Sequence, residues 1–156
     1  MRTFSLEASD DEIKQLVVEW NELLANQEYQ TALEMFPFST REYDWTPSLL
    51  ESVINGYGLE ANIDSETLNH LLMVHKVARF VITTLIGRAD WKDVVENKIR
   101  VDRNNLYGLD PDVYLGMIHY DDIPLSGFRS DLTARFNIKR IENNELTLEF
   151  YDIHVM

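Results

Sequence analysis

Cysteine is absent from the 156 residues. Its absence excludes disulfides, thiolate metal sites and cysteine nucleophiles, and it suits a reducing compartment. Long apolar runs are missing too: the longest, Phe80 to Gly87, falls far short of the roughly 20 residues that cross a bilayer, and it reads as a buried strand. Basic residues are scarce, 14 Lys and Arg against 27 Asp and Glu for a net charge of −13. A field of that sign repels phosphates, so neither nucleic acid nor an anionic membrane is an expected partner. Glycine-rich phosphate loops are lacking, since Gly56, Gly58 and Gly108 match no nucleotide-binding spacing, and no serine sits in a nucleophile elbow. The opening MRTFSLEASDDE has no apolar core before a small-residue cleavage site. No signal or transit peptide is therefore expected, and the expected location is the cytoplasm.

What is present is an ordinary globular composition, 45% hydrophobic and 26% charged, with 17 aromatic residues on a length usual for one domain. The acidity is uneven. Residues 1 to 66 hold 3 Lys and Arg against 14 Asp and Glu, a net −11, whereas residues 67 to 156 carry only −2.

Helical spacing dominates the first half. Ser9 followed by Glu12 is a capping box, and Ile13, Leu16, Val17, Trp20, Leu23 and Leu24 then recur at three- and four-residue steps. An amphipathic helix of about residues 10 to 25 is expected. Tyr29, Ala32, Leu33 and Phe36 form a second stripe ended by Pro37. Thr46, Pro47 and Gly56 bracket a third helix facing inward through Leu49, Leu50, Val53 and Ile54. Asp64 or Ser65 caps a fourth, with Leu68, Leu71, Leu72 and His75 on one face.

The last third alternates with period two. Val113 to Ile123 is a candidate strand ended by Pro124. In Asp131 to Ile141, Leu132, Ala134, Phe136 and Ile138 alternate with Thr133, Arg135, Asn137 and Lys139, the pattern of a strand buried on one face. Asn143 and Asn144 suit a hairpin turn into Glu145 to Val155. Leu146, Leu148 and Phe150 keep one phase while Tyr151, Ile153 and Val155 keep the other. Either a bulge resets the strand after Phe150, or Asp152 and His154 face the same side as Phe150. Residues 88 to 112 show no clear period, and no linker divides the chain, so residues 1 to 156 are expected to form a single domain. The fold class is α+β, N-terminal helices packed on a C-terminal antiparallel sheet.

This order, an acidic amphipathic helix, a short helix reading EYQTALEMF, further helices and then long strands, resembles the nuclear-transport-factor-like, or cystatin-like, cone fold. The resemblance implies a strongly curved sheet closed on one side by helices, a pocket between them, and a homodimer through the sheet. The segments NLYGLDPDVYLGMIHYDDIP, SDLTARFNI and LTLEFYDIHVM are also similar to a family of small bacterial proteins that brings no activity with it. Cone-fold proteins use their pocket for isomerisation, dehydration or hydrolysis, or only to bind, so fold does not decide function.

The acid/base candidates are Asp152 and His154, with His119 on another strand. Alternate residues share a face, so Asp152 could orient His154 as a base near neutral pH. The structural alternative is a charged pair that solvates the end of a strand. Trp20, Phe36 and Phe136 are the expected lining of the implied pocket. His70 and His75 lie five apart, a spacing that does not chelate, so no metal and no cofactor is expected, and His75 reads as a packed core residue. Glu12, Glu19 and Glu22 of the acidic helix are the expected contacts of a basic protein partner, as in an immunity-type protein that masks a basic toxin; solubility alone also accounts for them. The expected role is a non-enzymatic binding or interaction domain. The alternative is a small enzyme or ligand carrier using the pocket.

Overall fold

The computed structural model describes residues 1–37, 44–58, 63–87 and 91–155. The α+β expectation holds: helices fill the N-terminal half, and a curled five-stranded antiparallel sheet forms a half-barrel at the C-terminal end. Helix α1 spans Asp10–Ala25, and the Ser9 hydroxyl accepts a hydrogen bond from the Glu12 amide at 3.2 Å. Helices α2 (Tyr29–Met35), α3 (Pro47–Asn55) and α4 (Ser65–His75) follow. Thr46 caps α3 through the Leu49 amide at 3.1 Å, and Asp64 caps α4 through the Thr67 amide at 2.8 Å.

Seven strands complete the chain: β1 (Phe4–Ser5), β2 (Ile99–Asp102), β3 (Tyr114–Tyr120), β4 (Pro124–Leu125), β5 (Phe128–Arg129), β6 (Leu132–Arg140) and β7 (Glu145–Val155). The sheet runs β1-β7-β6-β3-β2, and β4 and β5 form a separate small ribbon. Asn143 and Asn144, at φ 61° and 58°, turn β6 into β7 as their short side chains permit. On the inner face Leu132, Ala134, Phe136 and Ile138 of β6 lie beside Leu146, Leu148 and Phe150 of β7, all at most 2% exposed. Trp20 of α1 seals this face, its ring 5.0 Å from Phe136 and 5.4 Å from Phe150.

Two expectations are corrected. Phe80 to Gly87 is not a strand of the sheet. It makes one bridge, Ile82 to Leu125, and its remaining backbone groups find side chains instead. Asn21 Nδ2 donates to the Thr83 carbonyl at 3.0 Å, and Glu22 accepts from the Leu85 amide at 2.9 Å and from the Thr84 hydroxyl. Buried backbone must pair with something, and α1 shares that role with β4 and Ser126, which take the Thr83 amide and the Val81 amide and carbonyl. His75 is half-buried instead of buried: it stacks on Phe128 at 4.4 Å, and α4 has no buried residue. The stretch without a clear period holds a helical turn, Val94–Lys98, and strand β2.

Gly58, at φ 69°, brings the segment after α3 against the end of the sheet. A Cβ there would run into Leu132 Cδ1 and lie 3.1 Å from the His154 carbonyl carbon. Only glycine fits both the dihedral and the space.

Candidate functional site

The face of the sheet turned away from α1 is polar, and much of it is buried. A bulge carries that polar face on to the end of β7. Phe136 pairs with Phe150 and Arg135 with Asp152, so Tyr151 is an extra residue in β7. Of the two readings of the broken phase, the bulge is the one the register shows. It sends Ile153 inward and places Asp152 and His154 on the outer face, opposite Arg135 and Thr133.

The cross-strand pairs line up as rows. One row runs Arg100 on β2, His119 on β3, Arg135 on β6 and Asp152 on β7. The three expected acid/base residues therefore share this face, with Arg135 between two of them. Arg135 donates to both Asp152 oxygens, Nε to Oδ1 at 2.9 Å and Nη2 to Oδ2 at 2.6 Å, and its guanidinium lies 4.6 Å from the centre of the Tyr151 ring. That fork strengthens the hold of Arg135 on its proton. His154 Nδ1 approaches Asp152 Oδ2 at 3.2 Å, but the carboxylate is already committed to the arginine. His119, two strands and roughly 10 Å of sheet from Asp152, has its pKa lowered by burial first, and then by Arg100. Its buried Nε2 has no hydrogen-bond partner.

The next row runs Asp102, Met117, Asn137 and Glu149. Asn137 is 0% and Glu149 2% exposed, although the alternation in β6 promised a solvated face there. Glu149 is surrounded by donors: Tyr114 Oη at 3.1 and 3.0 Å, Asn137 Nδ2 at 2.9 Å and Lys139 Nζ at 3.4 Å. Burial, and then the bond to Glu149, push the Tyr114 hydroxyl up to about 12. The Asn137 amide is oriented by giving its nitrogen to Glu149 on β7. Its Oδ1, at the other end of the amide, is buried and accepts no hydrogen bond.

Asn137 and His119 are among the residues that line a cavity of about 190 Å³. Its floor is Met117, His119, Arg135 and Asn137; Tyr107 and Leu109 overhang it from the β2–β3 connection, and the bulged Tyr151 closes one side. Asp102, its carboxyl held below the usual range by the Asn104 amide, accepts from the Tyr107 hydroxyl at 3.3 Å and so steadies the overhang.

The other expected site residues sit elsewhere. Trp20, Phe36 and Phe136 are at most 2% exposed and pack ring on ring, Phe36 to Phe136 at 5.8 Å. They fill the space between helices and sheet that was assigned to a ligand. Glu22 is occupied by Thr84, Leu85 and Asn21, and Glu19 pairs with Arg2 at 2.8 Å, which leaves Glu12 exposed. A wider hollow of about 750 Å³ follows Glu66, Thr67, Asn69, His70 and Met73 of α4, but all five are exposed and offer no desolvated group to satisfy. Among the described residues no three His, Asp or Glu side chains are grouped to hold a metal ion, and no helix is long and apolar enough to cross a membrane.

Comparison with protein-family models, curated proteins and solved structures finds no match. The site has to be read from its own chemistry. Arg135, Asn137, Glu149, Tyr107 and Tyr151 were not singled out in the sequence. The one signal that could have found them is the polar set Thr133, Arg135, Asn137 and Lys139 on a central strand, where both faces of the sheet have neighbours.

Proposed function

We propose that this protein is a non-enzymatic binding domain that takes a small ligand on the outer face of its sheet, under the Tyr107–Leu109 overhang. The carrying observation is the cavity of about 190 Å³ on that face, lined by Tyr107, Leu109, Met117, His119, Arg135, Asn137 and Tyr151. Binding is favoured over catalysis because the one Asp–His pair is held by Arg135 instead of being free to move a proton. A cytoplasmic setting belongs to the same proposal and is supported by the lack of cysteine.

A fragment screen read by amide and side-chain NMR tests the reading. Fragments should shift the Asn137 side-chain amide and the Tyr107, His119 and Tyr151 signals together. A screen in which no fragment moves that set would overturn the proposal. A basic protein partner on the helical half is the second reading, favoured by the net −11 of residues 1 to 66 and by the exposure of Asp11 and Glu12. Capture of a basic protein that Asp11→Lys with Glu12→Lys abolishes, together with a silent fragment screen, would move the function to that surface.

A further inference from the structure

We propose that the outer-face cavity takes an uncharged molecule built on a single aromatic ring, which packs against the exposed rings of Tyr107 and Tyr151. The inference rests on the cavity being a binding site and adds the chemical class of its occupant.

The two accessible rings come first. Among the described residues the exposed Phe, Trp and Tyr side chains are Tyr107, at 56%, and Tyr151, at 37%, and both line this one cavity. Each is brought there by an irregularity of the chain. Tyr151 is the extra residue of the β7 bulge. Tyr107 takes a φ of 51°, a region that a bulky side chain rarely occupies, and two bonds hold it there. Its amide donates to Asn105 Oδ1 at 2.8 Å, and its hydroxyl donates to Asp102 Oδ2 at 3.3 Å. Backbone strain that fixes an accessible ring beside a cavity serves a contact made outside the core.

Size follows from the volume. At about 190 Å³ the cavity is a little larger than the roughly 150 Å³ that holds one benzene ring. A ring that fills a space of that size touches every wall, so the same molecule meets both tyrosines and the apolar Leu109 and Met117.

Charge is disfavoured in either sign. No Asp or Glu among the described residues lines the cavity, and its one Lys or Arg, Arg135, spends its fork on Asp152. A cation would meet Arg135 without a carboxylate to answer it. An anion would meet a guanidinium already matched, on a chain of net charge −13. The contacts left for recognition are the faces and edges of rings.

The test uses benzyl alcohol and cyclohexylmethanol, nearly equal in size but flat and aromatic in one case and saturated in the other. Benzoate and benzylamine are the charged comparisons, and each probe is titrated into the full chain by NMR. The saturated ring is the greasier, so preference for the flat one reports the aromatic contact. Benzyl alcohol is expected to shift the Tyr107 and Tyr151 ring signals and the Met117 methyl, with cyclohexylmethanol about tenfold weaker and both charged probes weaker than benzyl alcohol. Tyr107→Phe should keep the preference for the aromatic probe and Tyr107→Leu should abolish it; at 56% exposure the side chain is not part of the core. Equal binding of the two alcohols, or tighter binding of either charged probe, overturns the ligand class while leaving the cavity a binding site. If no probe shifts the cavity residues, and the fragment screen is silent as well, the site reading falls and this inference with it.

Discussion

Replacing Tyr120 by Phe removes one oxygen atom from the centre of the fold, and the consequence can be worked out from its surroundings. Tyr120 on β3 and Asn21 on α1 are both 0% exposed, and the phenol donates to Asn21 Oδ1 at 2.8 Å. The same amide gives its nitrogen to the Thr83 carbonyl and to Glu22, so one asparagine joins helix, sheet and the 83–85 segment. Tyr120→Phe leaves Asn21 Oδ1 buried with no donor, which costs about 1–3 kcal/mol. Asn21→Ala leaves both the phenol and the Thr83 carbonyl unpaired and opens a small void, for about 3 kcal/mol. The double variant strands the phenol no longer, so its cost should fall short of the sum of the two by about 1–2 kcal/mol. A domain with roughly 5–15 kcal/mol of stability shows such losses clearly in urea unfolding at pH 7. If Tyr120→Phe changes stability by less than about 0.5 kcal/mol and the two costs simply add, the clamp is not where the distances place it.

Alkaline stability should turn on Tyr114. Its pKa is raised from 10.0 to about 12, so the protonated phenol favours the fold; the contribution is full below pH 10 and is lost as pH rises toward 12. Urea midpoints measured from pH 9 to 12 should decline, and Tyr114→Phe should decline less steeply; parallel curves would count against the bond to Glu149. Gly58→Ala should lose about 2 kcal/mol or more, because the alanine meets both an unfavourable positive φ and Leu132; a thermal midpoint within a degree of wild type would contradict that packing.

The legible parts of the chain were those where one periodicity acts alone. The stripe from Ile13 to Leu24, the caps Ser9, Thr46 and Asp64, and the alternation from Leu132 to Ile138 each report a single buried face, and each element formed where its spacing required. Phe80 to Gly87 defeated the same logic because its β-branched residues describe an extended chain but not its neighbour. Asn21, one polar residue within an apolar stripe, was the residue that took a strand's place. β2 is only four residues long, too short for alternation to register.

The site was half legible. Asp152 and His154 share a face as the parity of one strand requires, but that His119 lies on it too depends on the pairing of β3, β6 and β7, which the sequence does not give. Arg135 and Asn137 escaped because alternation tells which side of a strand is greasy and not whether the other side is covered. Tyr107 and Leu109, which line the cavity with them, come from a connection with no period to read. Where a pocket was expected between helices and sheet, Trp20, Phe36 and Phe136 are buried and packed against one another.

The extra residue at Tyr151 also bears on how the molecule behaves in crowded solution. β7 is eleven residues long, yet β1 pairs with it only at Glu145 and Leu146. Among the described residues no other strand pairs with that side of β7, which leaves a margin on which another chain could lay a strand. The bulge puts the hydrogen-bonding groups of that margin out of step halfway along, and the Trp45 indole donates to the Tyr151 carbonyl at 3.4 Å. An incoming ribbon would meet an interrupted template. The irregularity that turns Asp152 outward thus also discourages the end-to-end growth of sheets that leads to fibres.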